Sequence, residues 1–293
     1  MNGNFKIQQD LLNRVEKLIG SKINVYSLVR GGYTPAIRLL CETKNLTYFV
    51  KIGTTPLTSK FLRREYHVYS QVMGDFMPKL EAWEDHEVTP ILIIEDLSKN
   101  HWPPPWDDRG VDLVLSQIDA MHKKTGVQLE KYTQINSIQN SNWKIVSGDP
   151  KPFLSLNLVD GLWLDSAIPI LVEYEEKCEM DGESFCHWDL RSDNICIAKN
   201  RSIFVDWNLA CLSNPKLDLG FWLPSLKFEG GPAPEDILPN SPEIAAWVSG
   251  FFAARAGLPG IIDAPGVRLV QKQQLEVALP WVIRELALPF PKK

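Results

Sequence analysis

The stretch FCHWDLRSDN, residues 185–194, decides how this chain folds. It leads into a short apolar segment (195–197), a polar turn (198–202) and a second apolar segment (203–205). Two short apolar segments on either side of a polar turn are typical of a β-hairpin. We therefore expect the polar stretch to run directly into a two-stranded hairpin whose second strand ends at Asp206.

Polar side chains meet at the open end of this predicted hairpin. With symmetric pairing about the turn, Ile195 faces Val205 and Asn194 faces Asp206, about 4.5–5.5 Å apart at Cα. An amide oxygen and a carboxylate then converge, with Asp189 a few residues upstream, and Mg²⁺ prefers such oxygen ligands. Asn and Asp are also common turn-formers at hairpin ends. The joint spacing of the three polar residues, rather than any one of them, favours a magnesium site.

A lysine and a glutamate nearer the N-terminus give a second, independent indication. Lys51 lies near the end of a predicted strand, and Glu65 lies on the apolar stripe of a predicted helix. A carboxylate in that position requires a partner, because breaking a buried ion pair costs about 3–5 kcal/mol. Lys51 is the predicted partner. The alternative is a partly exposed Glu65 beside Arg63 and Arg64.

The order of predicted elements indicates an α+β chain with two lobes. The N-terminal lobe, residues 1–95, would hold a small antiparallel sheet and packed helices, and the C-terminal lobe, residues 96–293, would be mostly helical. Gly20 is expected to end the first helix and Gly257 a later one. The predicted helices are 5–19, 59–72, 111–122, 168–180, 242–256 and 267–288, the last kinked or broken at Pro280, and the predicted strands are 23–29, 36–43, 47–52 and 91–94.

Composition and charge exclude several functional classes. The formal net charge is -5, with acids and bases interspersed, whereas a nucleic-acid partner requires a basic face. No segment approaches the roughly 18 apolar residues that cross a bilayer, and the N-terminus lacks the apolar run of a secretory signal. The five cysteines form no CxxC pair. A reduced, cytoplasmic chain without a membrane or nucleic-acid partner is the expectation.

Several motifs resemble those of one enzyme family. HWDLRSDN (187–194) resembles the kinase catalytic loop H-x-D-x-x-x-x-N, and Val205-Asp206-Trp207 stands where kinases have the magnesium-binding D-F-G. An Asp followed by Trp or Phe is typical of the aminoglycoside phosphotransferase family, whose fold is protein-kinase-like. The other segments that resemble uncharacterised bacterial members are RGGYTPA (30–36), FVK (49–51), RREYHVY (63–69), EDLSKNHWPPPW (95–106) and DWNLACLSNPKLDLGFWLPS (206–225).

The resemblance, which spans about residues 28–226, implies catalytic and metal-binding roles. Asp189 would accept or orient the proton of the attacking hydroxyl, and Asn194 and Asp206 would hold Mg²⁺. Arg191 stands in the position of the lysine of the kinase catalytic loop and would touch the transferred phosphoryl group. Asp218 would be structural and steady the loop after Asp206, and His187 is interpreted as a structural brace of its own loop.

The same resemblance implies an ATP site in the first lobe. Lys51 would bind the α- and β-phosphates, positioned by Glu65. Backbone groups between Glu95 and Leu97 would bind adenine, and Gly31-Gly32 would let a loop approach the phosphates. The loop at 30–36 has only two glycines, and there is no A-P-E-like activation segment. Both departures favour a small-molecule acceptor over a protein.

Two functional hypotheses follow from these motifs. The first is an ATP- and Mg²⁺-dependent kinase acting on a hydroxyl of a small molecule of aminoglycoside, sugar or amino-alcohol type. The alternative is a catalytically silent, kinase-like protein that binds a nucleotide or metabolite. Members of the family phosphorylate choline, macrolides and homoserine as well, so the resemblance leaves the acceptor open.

Two further features have both a structural and a functional interpretation. The acidic run between Glu173 and Glu183 could seat a cationic aminoglycoside, but a solvated helix face is favoured. The tryptophans of the segment 101–106 could stack on a sugar or nucleobase, and packing beneath a proline-rich loop is equally consistent with the sequence. Buried cysteines are also favoured over a metal site drawn from Cys186, His187, Cys196 and Cys211, since neighbouring Cys186 and His187 would point to opposite sides of an extended segment.

Overall fold

The structure, a computed structural model, describes residues 7–32, 34–135, 141–262 and 264–291. Its N-terminal part contains two helices and a five-stranded antiparallel sheet with strand order β1-β2-β3-β5-β4. These elements are α1 (Gln9–Ile19), β1 (Val25–Leu28), β2 (Ile37–Glu42), β3 (Thr47–Ile52), α2 (Pro56–Gln71), β4 (Leu80–Glu84) and β5 (Ile91–Glu95).

The sheet is covered on both faces, which explains the continuous apolar run of β5. Ile91 and Ile93 pack with Leu11 and Val15 of α1 in one hydrophobic cluster. Their neighbours on β5 face the other way and join the main core of the molecule. A strand buried on both sides loses the alternation of apolar and polar residues. Gly20 ends α1 with a φ of 66°, as expected of a glycine helix stop.

The predicted N-terminal elements are confirmed with one omission. The helix predicted from residue 5 is seen from Gln9, and Phe5 lies outside the described residues. The omitted strand is β4, whose sequence LEAWE has only intermediate burial and pairs with β5 through an irregular register between Leu80 and Ala82. A short, half-exposed strand with a bulge has neither a clear alternation nor an apolar run.

The second part of the chain is mostly helical and carries two small two-stranded sheets. Its helices are α3 (Asp108–His122), α4 (Tyr132–Ile135), α5 (Asn142–Gly148), α6 (Lys151–Leu154), α7 (Gly161–Glu176), α8 (Lys216–Phe228), α9 (Pro234–Ile237), α10 (Pro242–Ala256) and α11 (Val267–Glu285). Its strands are β6 (Ser184–Cys186), β7 (Ile195–Ala198), β8 (Arg201–Phe204) and β9 (Cys211–Ser213), and single 3-10 turns lie at 192–194 and 207–209.

Helix α10 lies at the centre of the helical part and packs on α11, α7, α5, α6 and α8. Ten of its residues are buried on all sides of the helix, so it shows no amphipathic stripe. Helix α11 runs unbroken through Pro280 to Glu285, so the predicted break is absent. Buried neighbours such as Trp281 and Val282 hold it against the core and offset the hydrogen bond that proline removes.

The acidic run behaves mainly as a solvated face. Glu175 is the exception: it is 3% exposed and accepts the backbone N–H groups of Asn142 and Trp143 at the start of α5. The run therefore contributes one helix cap rather than a ligand site. All five cysteines are free and buried.

The α+β, two-lobed architecture predicted from the sequence is confirmed. Contacts between the lobes include the ion pair of Glu95 with Arg201 at 3.0 Å and the backbone hydrogen bond from Phe204 to Phe76. The boundary between residues 95 and 96 stays a prediction. Within the described part of the chain, every helix is too short or too polar to cross a bilayer.

Candidate active site

The predicted hairpin exists, but its register differs by one residue from the symmetric pairing. Ile195 pairs with Phe204 rather than Val205, and the Val205 N–H donates to the carbonyl of Asn194. The turn is only two residues long, with Lys199 in the left-handed region at a φ of 42°, whereas a five-residue turn was assumed. Asp206 consequently lies one residue beyond the position opposite Asn194.

The loop between β6 and the hairpin is braced from two sides. Asp218 of α8 accepts the backbone N–H groups of His187 and Trp188 at 3.0 and 2.8 Å, so it steadies the loop that carries Asp189. The prediction had it steady the loop after Asp206, and that was wrong. The His187 ring contacts the Val205 carbonyl at 3.0 Å and accepts the Asp189 N–H, which confirms its structural role.

Asp218 also belongs to the one group of His, Cys, Asp and Glu side chains in the described residues that lie within 4.8 Å of one another. The other members are His122, 2.9 Å from Asp218, and Cys186. Both oxygens of Asp218 are already occupied by N–H donors. The group is therefore a hydrogen-bonded brace rather than a metal site.

Two residues at the site have backbone conformations that non-glycine residues rarely adopt. Trp188, directly before Asp189, has a φ of 64°, and Asp206 has a φ of 73°. Such conformations cost about 1–3 kcal/mol each and persist where the surroundings enforce them. Here the hydrogen bond that the Trp188 N–H donates to Asp218 and the ion pair of Asp206 with Lys51 supply that enforcement.

Asp189, Asn194 and Arg191 form one connected group. The Asn194 amide donates to the Asp189 carbonyl at 2.8 Å and to its carboxylate at 3.1 Å. Arg191 pairs with Asp193 at 3.0 Å and lies 3.6 Å from the Asp189 carboxylate. Burial nevertheless raises the pKa of Asp189 to about 7, against the lowering effect of Arg191. A carboxylate with a pKa near neutrality is suited to proton transfer.

Lys51 connects the two lobes through a buried charge network. Its ammonium lies 2.8 Å from Glu65 and 2.9 Å from Asp206, so the predicted pair exists and includes a third member. Burial alone would lower the pKa of Lys51, but Asp206 and Glu65 hold it above its usual value. Burial would raise the pKa of Asp206, and Lys51 holds it below its usual value. Lysine and aspartate are therefore both charged near neutral pH.

The donor set fits a magnesium ion. Because the Asn194 amide nitrogen donates to Asp189, the amide oxygen is the atom left over. The described residues send no hydrogen bond to this oxygen or to Oδ2 of Asp206, whereas Oδ1 of Asp206 accepts from Lys51. Both residues line the same cleft. Two hard oxygen donors beside space for water and phosphate match the preference of Mg²⁺.

This cleft between the lobes has a volume of about 380 Å³ and collects most of the predicted nucleotide residues. Gly31 and Gly32 line it with φ values of 124° and 74°, which other residues adopt only at a cost. Glu95, at the end of β5, and Leu97, in the segment that follows β5, also line the cleft. Glu65 lies behind Lys51, outside the lining.

Arg38 is a cleft residue that the sequence reasoning missed. It faces Lys51 directly in the ladder between β2 and β3, and its guanidinium donates to the carbonyls of Gly31 and Thr34 in the glycine loop. Like charges directly opposite each other destabilise a sheet. Two cations at such a pair could have indicated an anion site, since a bound anion removes the repulsion.

The tryptophans of the segment 101–106 divide between the two interpretations. Trp102 lines the cleft and donates to the Leu97 carbonyl at 3.2 Å. Trp106 packs edge-on against Trp222, with ring centroids 5.7 Å apart, and donates to Glu229. One is available to a ligand, and the other is part of the packing beneath the loop.

A second cavity, of about 290 Å³, lies beside Asp189. Asp189 lines it, and Arg191 borders both this cavity and the cleft. The cavity is largely aromatic, and its lining comes from α2, α4, α8, α10 and α11. Sequence reasoning did not find it, because the contributing side chains are far apart in the chain and share no motif.

Comparison with known proteins identifies the fold. No protein-family model and no curated protein matches the chain. A complex of aminoglycoside phosphotransferase APH(4)-Ia (a thermostable mutant) with ADP and hygromycin B superposes over 94% of this chain and 98% of its own, with a TM-score of 0.60 and 14% identity. The chain has the fold of the aminoglycoside phosphotransferases.

Two other solved structures give the same result for this kinase-like fold. Spectinomycin phosphotransferase APH(9)-Ia, in complex with ADP and spectinomycin, is 16% identical over 93% of this chain and 94% of its own, with a TM-score of 0.61. Choline kinase LicA from Streptococcus pneumoniae is 14% identical over 95% of this chain and 98% of its own, also with a TM-score of 0.61. The predicted protein-kinase-like fold is thereby confirmed.

Proposed function

We propose that this chain is an ATP- and Mg²⁺-dependent phosphotransferase that phosphorylates a hydroxyl group of a small molecule. The observation that carries the proposal is that Asp189 accepts a hydrogen bond from Asn194, which lines one cavity, and itself lines another. The first is the cleft with Lys51, Asn194 and Asp206, and the second is an aromatic cavity of about 290 Å³. A nucleotide in the first and an acceptor in the second would meet at the carboxylate.

The structural neighbours support the nucleotide half of this proposal. Two of them are phosphotransferases in complex with ADP and an antibiotic, and a third is a choline kinase. In this chain Lys51 and Arg38 supply cations for nucleotide phosphates, and backbone groups of Glu95 and Leu97 are proposed to bind adenine. When bound, Mg²⁺ would neutralise charge on the phosphates, and Asn194 and Asp206 are the residues that would hold it.

The proposed reaction needs only positioning and charge neutralisation from the chain. The acceptor oxygen forms a bond to the γ-phosphorus, and the bond from that phosphorus to the β–γ bridging oxygen breaks, which releases ADP. The proton of the hydroxyl passes to the carboxylate of Asp189. Arg191, held by Asp193 and close to Asp189, is proposed to contact the transferred phosphoryl group.

Substitution of the base tests this assignment. In Asp189→Asn we expect nucleotide binding to persist while Mg²⁺-dependent ADP formation with an accepted alcohol falls by about 10³-fold, within the range for loss of a general base. The measurement is coupled ADP release over a panel of hydroxylated metabolites and antibiotics, with nucleotide affinity measured separately. Asp112→Asn, an exposed aspartate on α3, is the matched control and should retain activity.

The alternative of a silent binding protein has a distinct signature in the same experiment. It predicts nucleotide binding by wild type and Asp189→Asn alike, with no ADP formation in either. Turnover in Asp189→Asn close to that of wild type would contradict the assignment of the base.

A further inference from the structure

The aromatic cavity beside Asp189 has a rigid wall suited to an apolar body. Trp188 stacks on Tyr132 with ring centroids 3.9 Å apart and meets Trp247 edge-on at 5.6 Å. Phe221 and Phe251 continue the wall, in edge contact at 5.2 Å. Interlocked rings cannot easily move aside, so this surface favours a ligand with a flat or branched apolar body.

The described lining of the cavity has more basic than acidic side chains. Among its described lining residues, Asp189 is the single acid, and Arg64 and Arg191 are the bases. Arg191 is neutralised by Asp193 and Asp189. Within the described residues, by contrast, no carboxylate lies within ion-pair distance of Arg64. A guanidinium without an acid beside an apolar wall is a ready site for a carboxylate or phosphate.

Arg64 lines both the cavity and a neighbouring groove of about 510 Å³. Lys60 and His67 line this groove too, and they lie four residues before and three after Arg64 on α2, on one helix face. Glu130 is the acid among the groove's described lining. The groove beside Arg64 therefore has two cations, Lys60 and Arg64, on one helix face.

Gln271, on another wall of the cavity, can also donate a hydrogen bond to a ligand. Gln271 of α11 lines the cavity, and its side-chain oxygen accepts a hydrogen bond from Arg268 at 2.8 Å. With the oxygen occupied, the amide N–H₂ group is what Gln271 can present to a ligand. Arg268 itself pairs with uncharged groups, the Gln271 amide and the Pro259 carbonyl.

A polycationic aminoglycoside does not fit this lining. Its ammonium groups would be desolvated against aromatic rings and Arg64, with Asp189 as the one described acid to compensate, and unpaired buried charge is costly. The acids of the run 173–183 are exposed or, as Glu175, cap α5. They do not line the cavity.

We infer that the acceptor is an anionic alcohol: a molecule with a hydroxyl group at Asp189, an apolar body against Trp188 and Phe221, and a carboxylate or similar anion at Arg64. This inference rests on the proposed phosphotransferase function and names its substrate class. Arg64 would be the residue that determines specificity, because it contacts the end of the acceptor remote from the reacting hydroxyl.

Matched probes separate charge from shape in testing this inference. The panel contains 4-(hydroxymethyl)benzoate, 3-(4-hydroxymethylphenyl)propanoate and 10-hydroxydecanoate, in which the carboxylate is remote from the hydroxyl, each with its primary amide and with the analogue in which an aminomethyl group replaces the carboxylate. Binding is measured by calorimetry in the presence of a non-hydrolysable ATP analogue, and ADP formation is measured in parallel with ATP. For at least one series we expect the acid to bind about tenfold or more tightly than its amide, and the amine to bind most weakly.

Variants of two adjacent arginines assign the effect to Arg64. Arg64→Gln should reduce the preference for acid over amide to about twofold or less, and Arg64→Lys should restore part of it. Arg63→Gln is the matched control, because Arg63 pairs with Asp85 away from the cavity and should leave the preference intact. A structural role of Arg64 would weaken acid and amide equally.

The outcomes distinguish this inference from the proposed function. Acids that bind no more tightly than their amides in all three series, or a preference retained in Arg64→Gln, overturn the inference. ADP formation with the amines as fast as with the acids overturns it too, while supporting the phosphotransferase. Arg64-dependent binding of an acid without ADP formation supports the anion site and contradicts the proposed enzymatic activity.

Discussion

The cleft and the aromatic cavity beside Asp189 are built in opposite ways. In the cleft, charged side chains are tied to one another, with Lys51 between Glu65 and Asp206 at 2.8 and 2.9 Å. In the aromatic cavity, apolar rings form the wall, and Arg64 faces it without an acidic partner among the described residues. The cleft is suited to one fixed, highly charged ligand, and the cavity is suited to selecting among varied ones.

This difference indicates where a substitution can change substrate specificity without loss of catalytic activity. A substitution in the charge network disturbs several partners at once, because its members share one another's hydrogen bonds. A substitution in the aromatic wall changes shape or charge locally and leaves the network at Lys51 in place. We therefore expect substitutions in the charge network of the cleft to abolish activity and substitutions in the aromatic wall to redirect it.

Removal of the central cation should have the largest combined effect on activity and stability. In Lys51→Met we expect at least about 100-fold lower activity and about 3 kcal/mol lower free energy of unfolding, because the buried Glu65 loses its partner. The double variant Lys51→Met with Glu65→Gln should recover most of that stability and none of the activity. Denaturant unfolding of the ligand-free protein measures the first effect and ADP formation the second. If Lys51→Met alone were as stable as wild type, the loss of the partner of Glu65 would not destabilise the fold, and this prediction would be wrong.

The pH profile tests the proposed base, Asp189, which lines the aromatic cavity. Burial raises the pKa of Asp189 to about 7, and only the deprotonated carboxylate can accept the hydroxyl proton. Activity must therefore fall as the pH falls: from pH 7 to pH 5 we expect kcat/KM to decrease roughly 50-fold, with a plateau above pH 8.

Titration of the neighbouring His187 does not contribute to this pH profile. Burial lowers the pKa of His187 to about 4, so it stays neutral over the range measured. Circular dichroism at each pH checks that the fold is intact. A rate independent of pH between 5 and 8 would mean that no group with a pKa near 7 limits the reaction of the free enzyme.

Two tryptophans of one loop give the smallest and most selective effects. Trp102 lines the cleft, so Trp102→Ala should raise the KM for ATP about fivefold with little change in stability, since base–aromatic contacts contribute about 1–3 kcal/mol. Trp106 packs on Trp222, so Trp106→Ala should cost about 2 kcal/mol of stability and leave that KM within about twofold. A raised KM in Trp106→Ala together with a loss of stability in Trp102→Ala would contradict these assignments.

The sequence predicted the part of the site that is local in the chain. Asp189, Asn194 and Asp206 lie within one loop and hairpin, so counting residues brought them to one end of a ladder. The register was wrong by one residue because it depends on whether Lys199 adopts a left-handed φ of 42°, which composition does not dictate. The partnership of Lys51 with Glu65 was predictable, since a glutamate on an apolar helix stripe requires a cation.

The rest of the site depends on long-range packing. The walls of the aromatic cavity come from Arg64, Tyr132, Phe221, Phe251 and Gln271, and no periodicity relates positions so far apart. The same reasoning explains two errors in the fold. β4 is defined by its pairing with β5 rather than by its own pattern, and α11 continues past Pro280 because the core holds it.

The binding of a divalent ion tests the central claim most directly. Electron paramagnetic resonance of Mn²⁺, added as a substitute for Mg²⁺ with a non-hydrolysable ATP analogue, measures the number of bound ions and their affinity. We predict nucleotide-dependent binding of Mn²⁺ to wild type and a loss of affinity of about tenfold or more in both Asp206→Asn and Asn194→Ala. Unchanged Mn²⁺ affinity in both variants would contradict a metal site formed by these two residues beside Asp189.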